Sequence, residues 1–489
     1  MKRLSYIIAL VCICSLTANA QVSHSLYTLE SVPQTTVLNP ARQPRTNFYV
    51  GIPAVNFYIH ESSNIRPREF FQKHEGQWIT PIDANFDYKK LNRFYRKKMA
   101  INVASTINIV DFGWRLTDES YLTFSVNERI TTDFALPSDL VLLADKGLPN
   151  NTLLKLSRLG INAKAYHEFN ASFSYAYDDQ WTFGARAKYL VGIGAVKTKN
   201  KKLNLETNRD VWTLSTDVQV MTSMPSLDAS KAIDDEGYVV FDSLDFESMS
   251  GKDVKKALLP RLQNPGLGLD LGANFILDDN FRFSASVTDL GFIIWNKDIN
   301  TFKTKTSYQF DGVDVDMKRI NDNEDEDYKD YLREELDTLE AHLHTELTHR
   351  HFVTGLNPNI YICGEYTPNH YLTLSFLSHT KFFRKRVNQD FNISAAFNPY
   401  KPFSTVAGLT LNTLGKASAN FGFSVRAGVL QLYAVADYLP FRFNKYNIQD
   451  EKMKLPANMT GLNVSVGLNV LLGPHGYRDK PMINAYTDF

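Results

Sequence analysis

Side chains able to do chemistry fall into a few groups along this 489-residue chain. Four histidines crowd one stretch: His342, His344, His349 and His351. If Thr348 to Phe352 is extended, His349 and His351 share a face, and their two ring nitrogens could join a transition-metal site. No paired cysteines or spaced carboxylates complete that site. A surface loop carrying several histidines is the preferred reading, and no cofactor is expected. Upstream, Asp311, Asp314, Asp316 and the run from Asp322 to Asp327 offer the hard oxygen ligands that calcium takes. They lack the spacing of an EF-hand loop. The continuation through Tyr331, Leu332, Leu336, Leu339 and Leu343 reads as a charged helix with one apolar stripe, so a solvated acidic face suits it better.

Catalysis finds no foothold. There is no Gly-x-Ser-x-Gly elbow, no His-Glu-x-x-His pair and no phosphate-cradling loop, and an enzyme is not expected. The formal charge is zero, which gives no basis for binding nucleic acid.

The remaining charged candidates take their meaning from the elements that carry them. Segments of about ten residues alternate strictly, as in Leu462-Asn463-Val464-Ser465-Val466-Gly467-Leu468-Asn469-Val470. The runs Leu267 to Phe275, Phe281 to Thr288 and Phe421 to Arg426 repeat the design. Successive side chains of a strand face opposite ways, so each segment has one greasy and one polar face. An antiparallel sandwich with one wet face fits the same pattern. Recurrence along most of the chain, and connections alternately very short and very long, favour an antiparallel transmembrane β-barrel. The 32 Phe and 24 Tyr suit aromatic girdles at the membrane surfaces.

Tight connections are read at Thr117 to Ser120, Asp178 to Gln180, Asp278 to Asn280, Thr367 to Asn369, Pro399 to Pro402 and near Gly428, from their turn chemistry. Placing all six on the periplasmic side puts both termini there. The strands then fall at 46–59, 99–115, 121–131, 162–177, 181–196, 264–277, 280–295, 352–366, 370–379, 389–399, 403–413, 418–427, 430–438 and 460–472. Residues 203–221 and 237–243 also look extended. They form a hairpin inside a long outer loop, or cross as a pair and raise fourteen strands to sixteen. Long outer loops at 60–98, 132–161, 197–263, 296–351 and 439–459 have room for short helices, at Asp87 to Tyr95 and from Ser138 to Leu143.

On this frame the polar faces carry Glu168, Arg186, Lys188, Asp270, Arg282 and Arg426 into the lumen. Both signs are present. A mutual salt-bridge network is preferred, with a charged permeation path as the alternative.

Lys2 and Arg3, the apolar stretch Leu4 to Leu16 and the small-x-small site Ala18-Asn19-Ala20 read as a signal peptide over 1–20. Its removal leaves Cys363 as the sole cysteine, so no disulfide supports the fold. A segment over 21–44, the barrel over 45–472 and a tail over 473–489 complete the division. No second apolar run is long enough for a transmembrane helix.

Leu38-Asn39-Pro40-Ala41 is similar to the N-terminal element of fatty-acid-transporter-like outer-membrane barrels, including their type IX secretion-associated branch. A second resemblance covers more of the chain. Phe134 to Leu140, Tyr166-His167-Glu168, Gly184 to Gly192, Asn264 to Gly272 and Ser286 to Trp295 resemble an uncharacterised Bacteroidota outer-membrane barrel family, a domain of unknown function. That family implies an outer-membrane location and no assigned activity. The transporter-like likeness implies a lumen blocked by the N-terminal segment and opened sideways through a kinked strand. Asn39, Pro40, Pro53 in the first strand and Pro358 in the eighth are then the plug and gate candidates, since proline cannot donate a ladder hydrogen bond.

Two functions are expected from this reading. The barrel passes a small hydrophobic or amphipathic molecule across the outer membrane. Alternatively it is a scaffold whose outer loops dock secretion, assembly or surface-lipoprotein partners. Outer-membrane lipid is a partner under either.

Overall fold

The computed structural model describes residues 23–52, 57–63, 99–140, 151–208, 263–310, 342–383, 386–400, 402–413, 416–448, 451–456 and 461–473, with parts of the loops between. The expected leader over 1–20, Pro53, the acidic run 322–327 and the tail beyond 473 lie outside these residues.

Fourteen antiparallel strands close into a barrel. In chain order they are β1 (Phe48–Gly51, resuming as Phe57–Ser63), β2 (Met99–Arg115), β3 (Ser120–Leu136), β4 (Gly160–Ala176), β5 (Trp181–Thr207), β6 (Pro265–Ile276) and β7 (Phe281–Trp295). Then follow β8 (Phe352–Gly355, resuming as Asn359–Asn369), β9 (Leu372–Phe383), β10 (Arg386–Tyr400), β11 (Phe403–Asn412), β12 (Lys416–Ala427), β13 (Leu430–Leu439) and β14 (Gly461–Leu472). Each pairs with its successor, and β14 seals the ring against both pieces of β1, Tyr49 opposite Leu471 and Ile59 opposite Val464. Closure leaves no open edge, which a sheet in hydrocarbon requires.

Burial is inverted relative to a water-soluble domain. On β10 Ile393 is 62% exposed while its neighbour Asn392 is fully buried. On β11 Leu409 is 54% exposed and Thr410 buried. Soluble proteins bury their aliphatic side chains and expose the polar ones. Here Leu, Ile, Val and Phe cover the outside, and Ser, Thr, Asn and charged residues line the inside. A continuous apolar outer wall of this kind is a surface made for lipid. Trp114, Tyr177, Trp181, Phe281, Tyr366 and Tyr371 ring the wall beside the short turns, exposed as an interfacial girdle. Trp181 lies against Phe275 and Phe281 against Tyr366, with ring centroids 4.6 and 4.7 Å apart.

Three of the short turns share one device. Asp178 Oδ1 accepts from the Gln180 and Trp181 amides at 2.8 and 2.6 Å, and Asp278 Oδ1 from Asn280 and Phe281, both at 2.8 Å. Asn369 Oδ1 does the same for Tyr371 and Leu372. These side chains mimic a backbone turn and pin the hairpins at one end of the barrel. The first and last strands also begin and end there.

At the other end β5 runs 27 residues, where a tilted crossing takes about 9–11. Its distal half pairs with Trp212–Ser223, that strand with Ile299–Phe310, and that in turn with Glu346–Thr348. This small sheet stands beyond the long-loop rim. Residues 203–221 therefore belong to a hairpin and do not cross, and the sixteen-strand count falls. The strand Ile299–Phe310 sits where the sequence suggested loop. Its middle, Lys303 to Thr306, alternates Lys with Thr where it stands clear of the hydrocarbon. Among the helices expected in the long loops, the described residues Asp139 and Leu140 are helical, as are Asp330, Tyr331, Glu334, Thr338, His342 and Leu343.

Candidate functional site: an N-terminal segment inside the barrel

Residues 23–46 lie inside the cylinder, nearly all of them buried. A short helix α1 (His24–Thr28) is capped by the Ser23 hydroxyl, which accepts the Leu26 amide at 2.9 Å. A 3-10 turn (Pro33–Val37) follows, with proline at its start, where a missing N–H costs nothing. Leu26, Tyr27, Leu29, Val32 and Leu38 pack on inward-facing Tyr361, Cys363, Leu377, Val406 and Tyr433. The segment thus brings its own apolar face to that side of the wall.

Three of its polar attachments involve the short-turn end, the seat of Asn39 and a charged layer. At the short-turn end Arg42 donates to Glu365 at 2.8 Å and to Glu30 at 2.9 Å, and Arg45 to Glu30 at 2.9 Å. Arg282 also pairs with Glu365 and Glu30. Burial opposes charge on Arg42, but adjacent Glu365 outweighs it and raises the guanidinium above its usual value. Burial likewise raises the Tyr27 hydroxyl, so it stays protonated beside Ser284 at 3.1 Å. Across the lumen Gln34 donates to Asp111 at 2.9 Å and Asn469 at 2.8 Å.

The second attachment explains Asn39-Pro40-Ala41. Asn39 Nδ2 donates to Asn274 Oδ1 at 3.0 Å, and Asn274 Nδ2 to the Ala41 carbonyl at 2.9 Å. A Cβ on Gly184 would stand 2.1 Å from the Pro40 carbonyl oxygen, and one on Gly272 2.1 Å from Asn39 Oδ1. The wall is thinned to backbone at these two points so that the motif can seat.

The third is a charged layer at mid-height. Arg129 donates to Glu168 at 2.7 Å and to both oxygens of Asp289 at 2.9 and 3.1 Å. Lys188 reaches Asp289 at 2.6 Å and Asp270 at 2.8 Å. Arg186 lies 3.4 Å from Asp270 and donates to the Thr36 and Val37 carbonyls at 2.8 and 3.1 Å. Three acids face three bases, nearly free of solvent. Four of the residues singled out from sequence, Glu168, Arg186, Lys188 and Asp270, meet here. Arg282 joins the short-turn group instead. Arg426 stays half-exposed near the short turns, its Nε donating to the Gly428 carbonyl at 3.0 Å. His349 and His351 are exposed on the long-loop side, with His349 Nδ1 2.8 Å from the Ile299 carbonyl.

Arg129 and Asp289 were missed for different reasons. Arg129 follows strict alternation with Asn127, Thr131 and Asp133, so the signal was present. Asp289 sits in a β-bulge with φ of +61°, where Thr288 and Asp289 both turn inward. The bulge reverses the facing of everything after it, so Ile293 and Trp295 also point into the lumen. With Tyr166, Leu190, Met221, Phe352 and Leu356 they make an apolar cluster between the charged layer and the long loops. A Cβ on Gly192 would strike the Trp295 ring, so glycine makes room there.

The gate candidates fare unevenly. β8 is interrupted over 356–358, at Pro358. β1 is described up to Ile52 and again from Phe57, with Gly51 opposite Asn469 and Phe57 opposite Val466 on β14. Pro53 lies in that interval, outside the described residues.

A model of a family of unknown function, DUF5723, matches residues 40–437. The chain belongs to that family. The match takes in the seat for Pro40 and Ala41, the charged layer and all but the last strand of this DUF5723 barrel. No curated protein sequence matches it. Solved barrels similar in outline include a Pseudomonas aeruginosa FadL homologue at 9% identity, TM-score 0.43, covering 93% of this chain and 98% of that one. A deletion variant of the TodX monoaromatic hydrocarbon channel has 10% identity, TM-score 0.42 and coverages of 93% and 96%. A Ralstonia pickettii toluene transporter, TbuX, has 8% identity, TM-score 0.39 and coverages of 91% and 95%.

Proposed function

We propose that this DUF5723 protein is an outer-membrane channel for small hydrophobic or amphipathic molecules, held shut at rest by its N-terminal segment. The carrying observation is residues 23–46 inside the lumen, tied at the short-turn end, at mid-height and along one wall. A structural filler would need packing alone. This segment also engages buried charges on several strands, so its release and return are chemically specified.

The apolar cluster of Leu190, Ile293, Trp295 and Leu356 supports the cargo class. Its side chains are packed against one another under the long loops, so a hydrophobic molecule entering there would part apolar neighbours before it met the charged layer. The interruption of β8 at Pro358 then offers a sideways exit into the lipid. Deleting residues 21–44 tests the reading. The expected outcome is an intact barrel with raised single-channel conductance in planar bilayers and faster uptake of a hydrophobic reporter into vesicles. An unchanged conductance together with unchanged uptake defeats it.

A further inference from the structure

On the wall opposite the charged layer, toward the strand ends away from the short turns, α1 presents His24 to strands β8 to β13. His24 Nε2 lies 3.1 Å from His379 Nδ1 and 3.7 Å from Asp390 Oδ2. All three side chains are buried, and their donor atoms lie within 4.8 Å of one another.

The far side of each ring fixes its tautomer. Asn359 Nδ2 donates to the Asn357 carbonyl at 3.0 Å, which turns Asn359 Oδ1 to His379 Nε2 at 3.1 Å. A carbonyl oxygen only accepts, so His379 carries its proton on Nε2. The Thr410 hydroxyl donates to Asn420 Oδ1 at 3.0 Å. With its hydrogen committed, Thr410 Oγ1 accepts from His24 Nδ1 at 3.1 Å. His24 therefore carries its proton on Nδ1. Each ring turns a bare lone pair toward the other, and two lone pairs at that distance repel unless something positive lies between them.

The surrounding charge points the same way. Asp390 accepts from Lys381 Nζ and the Tyr438 hydroxyl, both at 2.7 Å and both on Oδ2, the oxygen turned toward His24, so a metal ion bound there displaces one of these donors. Asp437 accepts from the His24 and Ser25 amides at 3.1 Å and from Asn463 at 2.7 Å. Two buried carboxylates face a single ammonium, leaving one negative charge unmatched within this group.

We propose that His24, His379 and Asp390 bind a divalent transition-metal ion of the zinc type, which staples the N-terminal segment to the barrel wall. Zinc holds nitrogen and oxygen ligands at about 2.0–2.2 Å, so tetrahedral donors stand roughly 3.4 Å apart. The separations of 3.1 and 3.7 Å straddle that edge, and the third pair, His379 Nδ1 and Asp390 Oδ2, stands within 4.8 Å and draws together when the ion binds. Imidazole pairs with one carboxylate suit this class of ion. Asn359 and Thr410 are the outer partners that orient such ligands. The site stands whatever the barrel passes.

The test uses the full chain, purified in detergent, stripped by a chelator and titrated with zinc by calorimetry and with cobalt(II) by visible absorption. One equivalent should bind, with the spectrum of nitrogen and oxygen ligands in tetrahedral array. His24→Gln and His379→Gln should each abolish stoichiometric uptake, and Asn359→Leu should weaken it about 10–100-fold. His24 lies on α1 and not in a strand, so its variant should keep the heat-modifiable migration of a closed barrel. His349→Ala and His351→Ala should bind as the parent does. The proposal is overturned if the parent takes up no metal, and a proton shared between the two rings by nitrogen-15 NMR would then account for their approach. Loss of binding in the His349 or His351 variants instead overturns it as well.

Discussion

Arg129 and Arg426 are both arginines on inward faces, yet they sit in different electrostatic surroundings. Arg129 bridges Glu168 and Asp289 with no solvent to take its place. Arg129→Ala would leave three carboxylates facing Lys188 and Arg186. Breaking a buried pair by removing one partner costs about 3–5 kcal/mol. Arg426, half-exposed beside a turn carbonyl, should cost under about 0.5 kcal/mol on truncation, as surface substitutions do. Urea unfolding of the two variants in detergent measures both. Equal midpoints would mean that the charged layer adds nothing to stability. Glu168, Arg186, Lys188 and Asp270 were legible from alternation alone, since a strand's parity assigns each side chain a face. Their pairing was not, because it depends on which strands become neighbours.

Elements follow local chemistry until something interrupts the period. Asp289 in β7 and Tyr438 in β13, with φ of +61° and +60°, mark bulges where two consecutive side chains turn inward. Each places an acid or a phenol in a buried cluster, which a regular strand would have aimed at lipid. The wall's glycines at Gly184 and Gly272 work the other way, withholding a side chain where Asn39 and Pro40 must sit. Gly272→Val should keep the barrel and unseat the segment. Trypsin should then cut at Arg42, which the parent protects; equal protection in both would show that the seat is dispensable. A second element-scale prediction concerns β8. Pro358→Ala restores a donor at the interruption, and uptake of the hydrophobic reporter should slow if β8 is an exit. Unchanged uptake would show that β8 is not the exit.

For the whole molecule the bilayer sets the terms. Ile393 is outward at the middle of β10, and Tyr371 is outward at a short turn. Arginine at the midplane of a lipid-facing wall costs about 2–4 kcal/mol and near the interface about 0–1. Ile393→Arg should therefore destabilise the folded barrel in vesicles far more than Tyr371→Arg, by equilibrium unfolding. Comparable losses would place the hydrocarbon band elsewhere on the cylinder. The sequence by itself determined the strands, the facing of most side chains and the short turns at one end, because these rest on period two and on turn residues within a few positions. Tertiary structure alone decided what fills the lumen. Ring closure brings His24 beside residues more than 350 positions away, and Asn39 beside Asn274, distances in sequence over which no local pattern can act. It also decided the bulges, since an extra residue is visible only against the strand it fails to match.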